Sequence, residues 1–381
     1  MKTALIIGGT NGIGLAMAIK LSYKYEKVYI LGRHKPDVNL PQNIIFEKFD
    51  LFKENVEILN KYIDVNMLLI TAGIGRLAAF DTFNICEVSK IMTVNSTVVI
   101  QILSMFSKKL INEEEFYCGV ISSISGIVCS PLYSIYSASK AALCKYIEAV
   151  NVELNMKGSK NVITNIAPGF IPFTSFNFDK TDLEKLDYIT KEFLEAIKNK
   201  SQLYIPDYAK TYRKVIRNYY SNPKSFGIES YLYKQKSNRI NNKTLIKIGY
   251  LSGTFDLFHI GHLNLLQRAK EYCDYLIVGV HKDASHKGKE TFISFAERKR
   301  IIMAINVVDR VIEALPEDDD VWNLVHYDYL FVGSDYEGTA RFKRYENNLK
   351  HKGVQIIYFP YTQGTSSTKL REALSNLSKV E

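Results

Sequence analysis

Three groups of residues have the types and spacing to do chemistry. The first is Gly8-Gly9-Thr10-Asn11-Gly12-Ile13-Gly14, directly after the apolar run Thr3 to Ile7. Glycines at that spacing let a strand turn tightly into a helix, let the backbone approach a pyrophosphate, and present first-turn N–H groups to the anion. Alone, such a cluster also occurs as a turn without a ligand; its place at the first strand-to-helix turn gives it weight. The second group is Tyr136 and Lys140, with Ser122-Ser123 thirteen to fourteen residues upstream. A Tyr and a Lys four apart share one helix face. The ammonium can lower the phenol pKa so that it exchanges a proton with a carbonyl or alcohol, and a Ser hydroxyl can polarise the same oxygen. The third is His259-Ile260-Gly261-His262, shortly after Gly253-Thr254-Phe255-Asp256. Two His three apart at a helix start aim donors at one anion beside the positive end of the helix dipole. No third or fourth ligand is spaced to complete a zinc site, so phosphate chemistry is expected there and no metal ligand from the protein.

At the end of the second candidate strand stands Leu31-Gly32-Arg33-His34-Lys35, with no carboxylate for ribose hydroxyls. Arg33 can pair with a 2′-phosphate, which favours NADPH over NADH; otherwise it is a surface arginine on a loop.

These groups need elements to position them. A chain of 381 residues exceeds the roughly 250 to 300 that one core organises, so two or three domains are expected. With 46% hydrophobic and 23% charged residues, it is not a disordered, collagen-like or coiled-coil chain. The longest charge-free stretch, Phe116 to Ser139, is serine-rich and contains Pro131, so no membrane helix is read there. The N-terminal apolar run is too short for a signal peptide, and a cytoplasmic protein is expected. Cys86, Cys118, Cys129, Cys144 and Cys273 are an odd count without a CxxC pair, expected as reduced, buried thiols. The net charge of +9 is scattered over both halves, which points to small phosphorylated ligands and not to nucleic acid. The acidic run Glu317 to Asp320 reads as a solvated loop.

Residues 1 to about 175 alternate β-rich runs with amphipathic stretches. Thr3–Ile7, Val28–Leu31, Ile44–Phe46, Met67–Thr71, Cys118–Ser122 and Asn161–Ile166 are the candidate strands. From about 179 to 233 the chain is charged, Tyr-rich and helix-periodic. Lys234 to Lys243 holds Ile240 as its one aliphatic residue and marks a linker, assigned to 236–244. A second pattern follows, with strands at Leu245–Leu251, Tyr275–Val280, Tyr329–Val332 and Gln355–Phe359. The fold class is α/β: a doubly wound parallel sheet of Rossmann type over 1–235, and a smaller Rossmann-like domain over 245–381.

Over residues 1 to about 235 the chain resembles the short-chain dehydrogenase/reductase family. Gly8, Gly12 and Gly14 match its glycine motif, with Ile7 where Thr is usual, and Thr71-Ala72-Gly73 resembles its NAG turn. The resemblance implies that Asp50 contacts adenine, that Asn95, Ser123, Tyr136 and Lys140 form the catalytic tetrad, and that Pro168-Gly169 and the Ile171 backbone border the nicotinamide. It further implies that 179–233 is the substrate lid.

Over about 245–377 the chain resembles the cytidylyltransferase-like superfamily, and within it the glycerol-3-phosphate branch. The HxGH signature is His259 to His262; Lys287 and Lys289 match paired basic residues, and Arg298 matches the ERK position. Val307 to Ile312 resembles YVDEVI, Gly333 to Gly338 resembles GDDWEG with Asp335 inside it, and Thr362 to Lys369 resembles TEGISTTK. The resemblance implies that Gly253, Thr254, Phe255, His259, His262, Lys287, Arg298, Asp335, Thr362, Ser366 and Ser367 hold the nucleotide. It gives catalytic roles to the two His and to Lys287 and Lys289, with Mg²⁺ accompanying CTP. Asn306 and Tyr361 stand where that branch has arginines, which leaves the transfer chemistry in place and points to a different acceptor.

Joined in one chain, the two resemblances imply an enzyme that reduces a ketose phosphate of the ribulose 5-phosphate or fructose 6-phosphate class with NADPH. The alditol phosphate is then coupled to CTP, giving a CDP-alditol for capsular or teichoic-type polymers. The alternative is a cytidylyltransferase alone, with the first half a dimerising scaffold or acting on an unrelated substrate. Small-molecule partners and a homo-oligomer, dimer or tetramer, are expected.

Overall fold

A computed structural model describes residues 2–112, 114–174, 176, 181–237, 240, 246–283, 290–360 and 370. The chain divides into two compact units, Met1–Lys243 and Thr244–Glu381.

Unit 1 runs β1 (Thr3–Ile7), α1 (Gly12–Ser22), β2 (Lys27–Gly32), β3 (Ile44–Lys48), β4 (Met67–Ile70), α2 (Ile85–Met92), α3 (Val98–Met105), α4 (Ser107–Ile111), β5 (Tyr117–Ile121) and α5 (Ser134–Met156). It continues with β6 (Ile163–Ile166), α6 (Asp187–Lys198), β7 (Leu203–Tyr204), α7 (Arg213–Ser221) and α8 (Pro223–Lys236). The strands pair in the order β3-β2-β1-β4-β5-β6-β7, all parallel. Side-chain alternation along β1 sends Leu5 and Ile7 to one sheet face, with Val98 and Ile102 of α3 and Leu143 and Ile147 of α5. Ala4 and Ile6 go to the other, with Leu15 and Met17 of α1 and Phe193 and Ile197 of α6. Burial on both faces explains why β1 and β4 are continuous apolar runs. The strand order reverses at β1, so the carboxyl ends of β1 and β4 open a crevice between the connections that leave them.

Helix α1 begins at Gly12, because the extended Asn11 caps it by accepting from the Gly12 N–H at 2.7 Å. One stretch, Ile85–Met105, is long and apolar enough to cross a bilayer, and half of it is buried. It comprises α2, a π-helical turn Thr93–Thr97 and α3, and Val94, Val98, Val99 and Ile102 in it pack into the sheet core. Cys118 and Cys273 are buried as expected, but Cys86 and Cys144 are half-buried and Cys129 is exposed.

Unit 2 runs β8 (Ile248–Gly253), α9 (Ile260–Tyr272), β9 (Tyr275–Val280), α10 (Phe295–Met303), β10 (Arg310–Glu313), α11 (Asp318–Val325), β11 (Tyr329–Gly333), α12 (Ala340–Lys350) and β12 (Gln355–Phe359). Its parallel sheet has the order β10-β9-β8-β11-β12. Leu251 faces Leu266 and Ala269 of α9 and Ile302 of α10; Tyr250 faces Val321 of α11 and Phe342, Tyr345 and Leu349 of α12. Strands β8 and β11 pair only at Gly249 and Tyr250, so their carboxyl ends separate at the reversal of strand order. The acidic run is not a loop: Asp318 to Asp320 form the first turn of α11, where carboxylates complement the helix dipole. Asp318 and Asp319 are buried. The Asp318 N–H donates to Tyr345 Oη at 3.1 Å, and Asn348 Nδ2 donates to Asp319 at 2.8 Å.

Candidate active sites

The glycine loop of unit 1 lies directly on the turn after β4. Gly8 adopts φ +89°, and a Cβ there would come within 2.5 Å of the Ala72 nitrogen; one on Gly14 would collide with the Gly8 carbonyl and Thr71 Oγ1. Only glycine permits this contact. The Ile13 and Gly14 N–H groups follow the Asn11 cap in the open first turn of α1, where a pyrophosphate would meet the helix dipole. The loop floors a cleft of about 550 Å³. Thr10 packs over Gly32; Arg33 is exposed and lines the cleft with Asp50. Asp50 Oδ1 accepts from the Phe52 N–H at 2.9 Å. These residues fit a phosphorylated dinucleotide: a cradle that a Cβ would fill, a helix mouth, and a cation at the end of β2.

Asn95, Ser123, Tyr136 and Lys140 come together where β4, β5 and α5 converge. Asn95 is fully buried in the π-helical turn. Its side chain accepts from the Ile74 N–H at 2.8 Å and donates to the Ile74 carbonyl at 2.8 Å and to Ser139 Oγ at 3.0 Å. A Cβ on Gly73 would lie 3.3 Å from Lys140 Nζ and 3.5 Å from Asn95 Oδ1, so the three residues meet at one point. Lys140 is buried; its ammonium donates to the Ile121 carbonyl at 2.9 Å and lies 5.9 Å from the Tyr136 ring centre. Burial pushes its pKa down to about 8. Ser123 hydrogen-bonds the Tyr136 phenol and pulls its pKa down, but burial is the larger effect and raises it. The ammonium bonds the Ile121 carbonyl, and burial favours the protonated phenol at neutral pH.

The turn after β6 closes this side. Pro168 accepts from the Ile124 N–H at 2.9 Å. A Cβ on Gly169 would strike the Tyr212 ring, whose hydroxyl accepts from the Phe170 N–H. Ile171 is buried, and its carbonyl accepts from Thr174 Oγ1 at 3.3 Å. Thr174, Tyr212, Lys90 and Lys234 also line the cleft and escaped the sequence reading, since no local spacing marks them.

In unit 2, β8 runs into a loop with Phe255 at φ +52° and Leu257 at φ +49°. Such conformations cost of the order of 1–3 kcal/mol each and persist when the surroundings enforce them. Two buried charges do so. The Asp256 carboxylate accepts the N–H groups of Ile293 at 2.9 Å and Phe292 at 3.1 Å. Arg298, fully buried, donates to the carbonyls of Thr254, His281, Lys282 and Ile293. Its geometry is that of a residue holding the loop.

His259 is the N-cap of α9: its Nδ1 accepts from the Gly261 N–H at 3.1 Å, and His262 Nδ1 accepts from the His259 N–H at 3.4 Å. The rings stack at 4.0 Å between centroids, with Phe255 and Phe258 against His262. With Nδ1 accepting, each neutral ring carries its proton on Nε2, a donor for an anion. Burial lowers the His259 pKa, so that ring is neutral at pH 7. Among the described residues, Thr254 Oγ1 is buried without a hydrogen-bond partner. A Cβ on Gly253 would lie 3.0 Å from the Phe255 ring, and Asp335, exposed after β11, folds its carboxylate over Gly333. Lys287, Lys289, Thr362, Ser366 and Ser367 lie outside the described residues.

The short chain dehydrogenase family profile matches residues 2–184, and the cytidylyltransferase-like profile matches residues 250–373. The chain is similar to glycerol-3-phosphate cytidylyltransferase of Bacillus subtilis, 36% identical over 129 residues, which span 33% of this chain and 95% of that protein. The Staphylococcus aureus glycerol-3-phosphate cytidylyltransferase is 37% identical over 127 residues, 32% of this chain and 90% of that protein. Among solved structures, a short chain dehydrogenase from Burkholderia cenocepacia in complex with NADP superimposes with a TM-score of 0.51 at 19% identity. It covers 60% of this chain and 99% of its own, a likeness of fold.

Proposed function

Because the chain belongs to the short chain dehydrogenases in unit 1 and to the cytidylyltransferase-like family in unit 2, we propose a bifunctional enzyme. It reduces a ketose phosphate of the ribulose 5-phosphate or fructose 6-phosphate class to an alditol phosphate, then joins this to CTP, releasing pyrophosphate and a CDP-alditol for a surface polysaccharide. NADPH would be held by Gly8 to Gly14 at its pyrophosphate, Arg33 at its 2′-phosphate, Asp50 at adenine, and Ala72, Gly73, Pro168, Gly169 and Ile171 toward the nicotinamide; it supplies the hydride. Tyr136 gives its phenolic proton to the carbonyl oxygen as that becomes an alcohol, and Ser123 hydrogen-bonds the same oxygen. Lys140 keeps a positive charge beside the resulting phenolate, and Asn95 fixes the Gly73-Ile74 turn on which Lys140 rests.

In unit 2 an acceptor phosphate oxygen attacks the α-phosphorus of CTP, and the bond to the pyrophosphate oxygen breaks. His259 and His262, with Lys287 and Lys289, donate to the oxygens on which charge grows. Gly253, Thr254, Phe255, Asp335, Thr362, Ser366 and Ser367 seat the nucleotide, Arg298 holds the loop in shape, and Mg²⁺ accompanies the triphosphate.

The observation that carries this reading is the presence, in one chain, of a group suited to making an alcohol and a paired-His cap suited to activating a phosphorylated one. The match to nearly the whole length of glycerol-3-phosphate cytidylyltransferase supports the second half. The test is NADPH oxidation by the full chain with a panel of three- to six-carbon ketose phosphates. Oxidation with one member is expected; none with any member overturns the reductase assignment.

A further inference from the structure

The positive charge that the sequence scatters over both halves is concentrated on one helix pair of unit 1. Residues 208 to 237 hold seven Lys and Arg against one acid, Glu229, so six of the chain's net +9 charges fall in thirty residues. Helices α7 and α8, separated by Asn222 alone, make up most of that stretch. Their inner faces are settled by packing: Val215, Ile216 and Tyr219 of α7 and Phe226 of α8 lie on Ile124, Val128, Ala167 and Ile205. Lys234 turns the same way, its ammonium donating to Ser130 Oγ at 2.5 Å and to the Pro131 carbonyl at 2.9 Å. The opposite faces point to solvent. On α7 these are Arg213, Lys214, Arg217 and Tyr220; on α8, Lys224, Ile228, Tyr231, Leu232 and Gln235 recur at the spacing of a single helix face. All are exposed, Ile228 at 54% and Leu232 at 49%. Among the described residues, none of the outward Lys and Arg makes an ion pair. Exposed apolar side chains gathered on one face mark an interaction surface.

An aliphatic and tyrosine row flanked by cations is matched by a surface that offers hydrocarbon and anions together, a bilayer with acidic headgroups. Nucleic acid would answer the cations but has no use for Ile228 and Leu232. A second copy of the same face would bring like charges together. We propose that the outer face of the α7–α8 pair docks on an anionic phospholipid surface. Arg213, Lys214, Arg217 and Lys224 meet the headgroup phosphates, and Ile228, Tyr231 and Leu232 meet the hydrocarbon boundary. The inner side of the same pair lines the unit 1 cleft through Val215, Phe226 and Tyr233, so docking sets that cleft one helix layer from the leaflet. The inference does not depend on which substrate the cleft takes.

The test is co-sedimentation of the full chain with vesicles of phosphatidylcholine, with and without phosphatidylglycerol. Binding to the anionic vesicles is expected to be at least about tenfold tighter and to weaken as salt rises. Each cation near an acidic leaflet is worth roughly fivefold in binding, so Arg213→Gln, Lys214→Gln and Arg217→Gln together should lower it by about 10- to 100-fold. Ile228→Ser with Leu232→Ser should lower it by about tenfold through lost apolar burial. These positions are exposed, so the thermal unfolding midpoint should stay that of the wild type in both variants. Equal binding to the two kinds of vesicle, or binding that survives both variants, overturns the proposal. Binding that falls with the cations and is indifferent to the serine pair assigns the face to a polyanion such as nucleic acid and overturns the lipid surface. A solution dimer that the serine pair dissociates, without vesicle binding by the wild type, overturns it in favour of a second copy.

Discussion

In unit 1 the groups assigned to the reaction are side chains on regular elements or turns packed against them: Tyr136 and Lys140 on α5, Ser123 after β5, Asn95 between α2 and α3. Their chemistry is set by burial, which moves Lys140 down and Tyr136 up. In unit 2 the corresponding groups sit on a strained loop and the helix cap that follows it. Their positions depend on two buried charges, Asp256 and Arg298, that bond backbone alone among the partners described above. The contrast teaches that one site can lose a reacting group and keep its shape, whereas the other can lose its shape with the buried charges that bond its loop backbone.

The largest expected effect is that of Tyr136→Phe, which removes the proton donor and should lower NADPH oxidation by about 10³- to 10⁴-fold while leaving cytidylyl transfer from a ready-made alditol phosphate unchanged. Equal loss of both activities would break the separation of the two sites. His259→Asn keeps a good helix cap and removes the ring donor; transfer should fall by about 10²- to 10³-fold with reduction untouched. Arg298→Met leaves four loop carbonyls without their donor and should cost unit 2 about 2–4 kcal/mol of stability. Calorimetry should show the unit 2 transition lowered while reductase activity persists; an unchanged transition would assign Arg298 to the nucleotide instead. The smallest effect is on pH dependence. Burial has lowered the Lys140 pKa to about 8, so its charge is present below that pH and lost above it. The reduction rate should fall about tenfold between about pH 7 and pH 9, whereas His259, lowered and already neutral, gives transfer no such limb.

Most of this was legible in the order of motifs, because glycine turns, the Tyr/Lys pair and the paired His depend on local spacing. Elements set by tertiary packing were not. Strand β7 has two residues, Leu203 and Tyr204, too few for any period, and β10 begins and ends in charge, Arg310 and Glu313. The acidic run looks like a solvated loop until Tyr327 and Tyr345 are seen to receive it: Tyr327 Oη donates to the Asp318 carbonyl at 2.8 Å. Lys234 stands at the head of a basic, polar stretch that reads as linker, yet α8 continues to Lys236 and buries it against Ser130. The proton state of Tyr136 escaped for the same reason, since desolvation is invisible in a spacing of four.

The central claim is that the product of the first site is the substrate of the second. Its most direct test is pyrophosphate release by the full chain given CTP, Mg²⁺ and a ketose phosphate, with and without NADPH. The account predicts release only when NADPH is present, in step with its oxidation, and abolished by Tyr136→Phe unless the alditol phosphate is supplied. Release from the ketose phosphate without NADPH, or release only from added alditol phosphate with NADPH unconsumed, would contradict it.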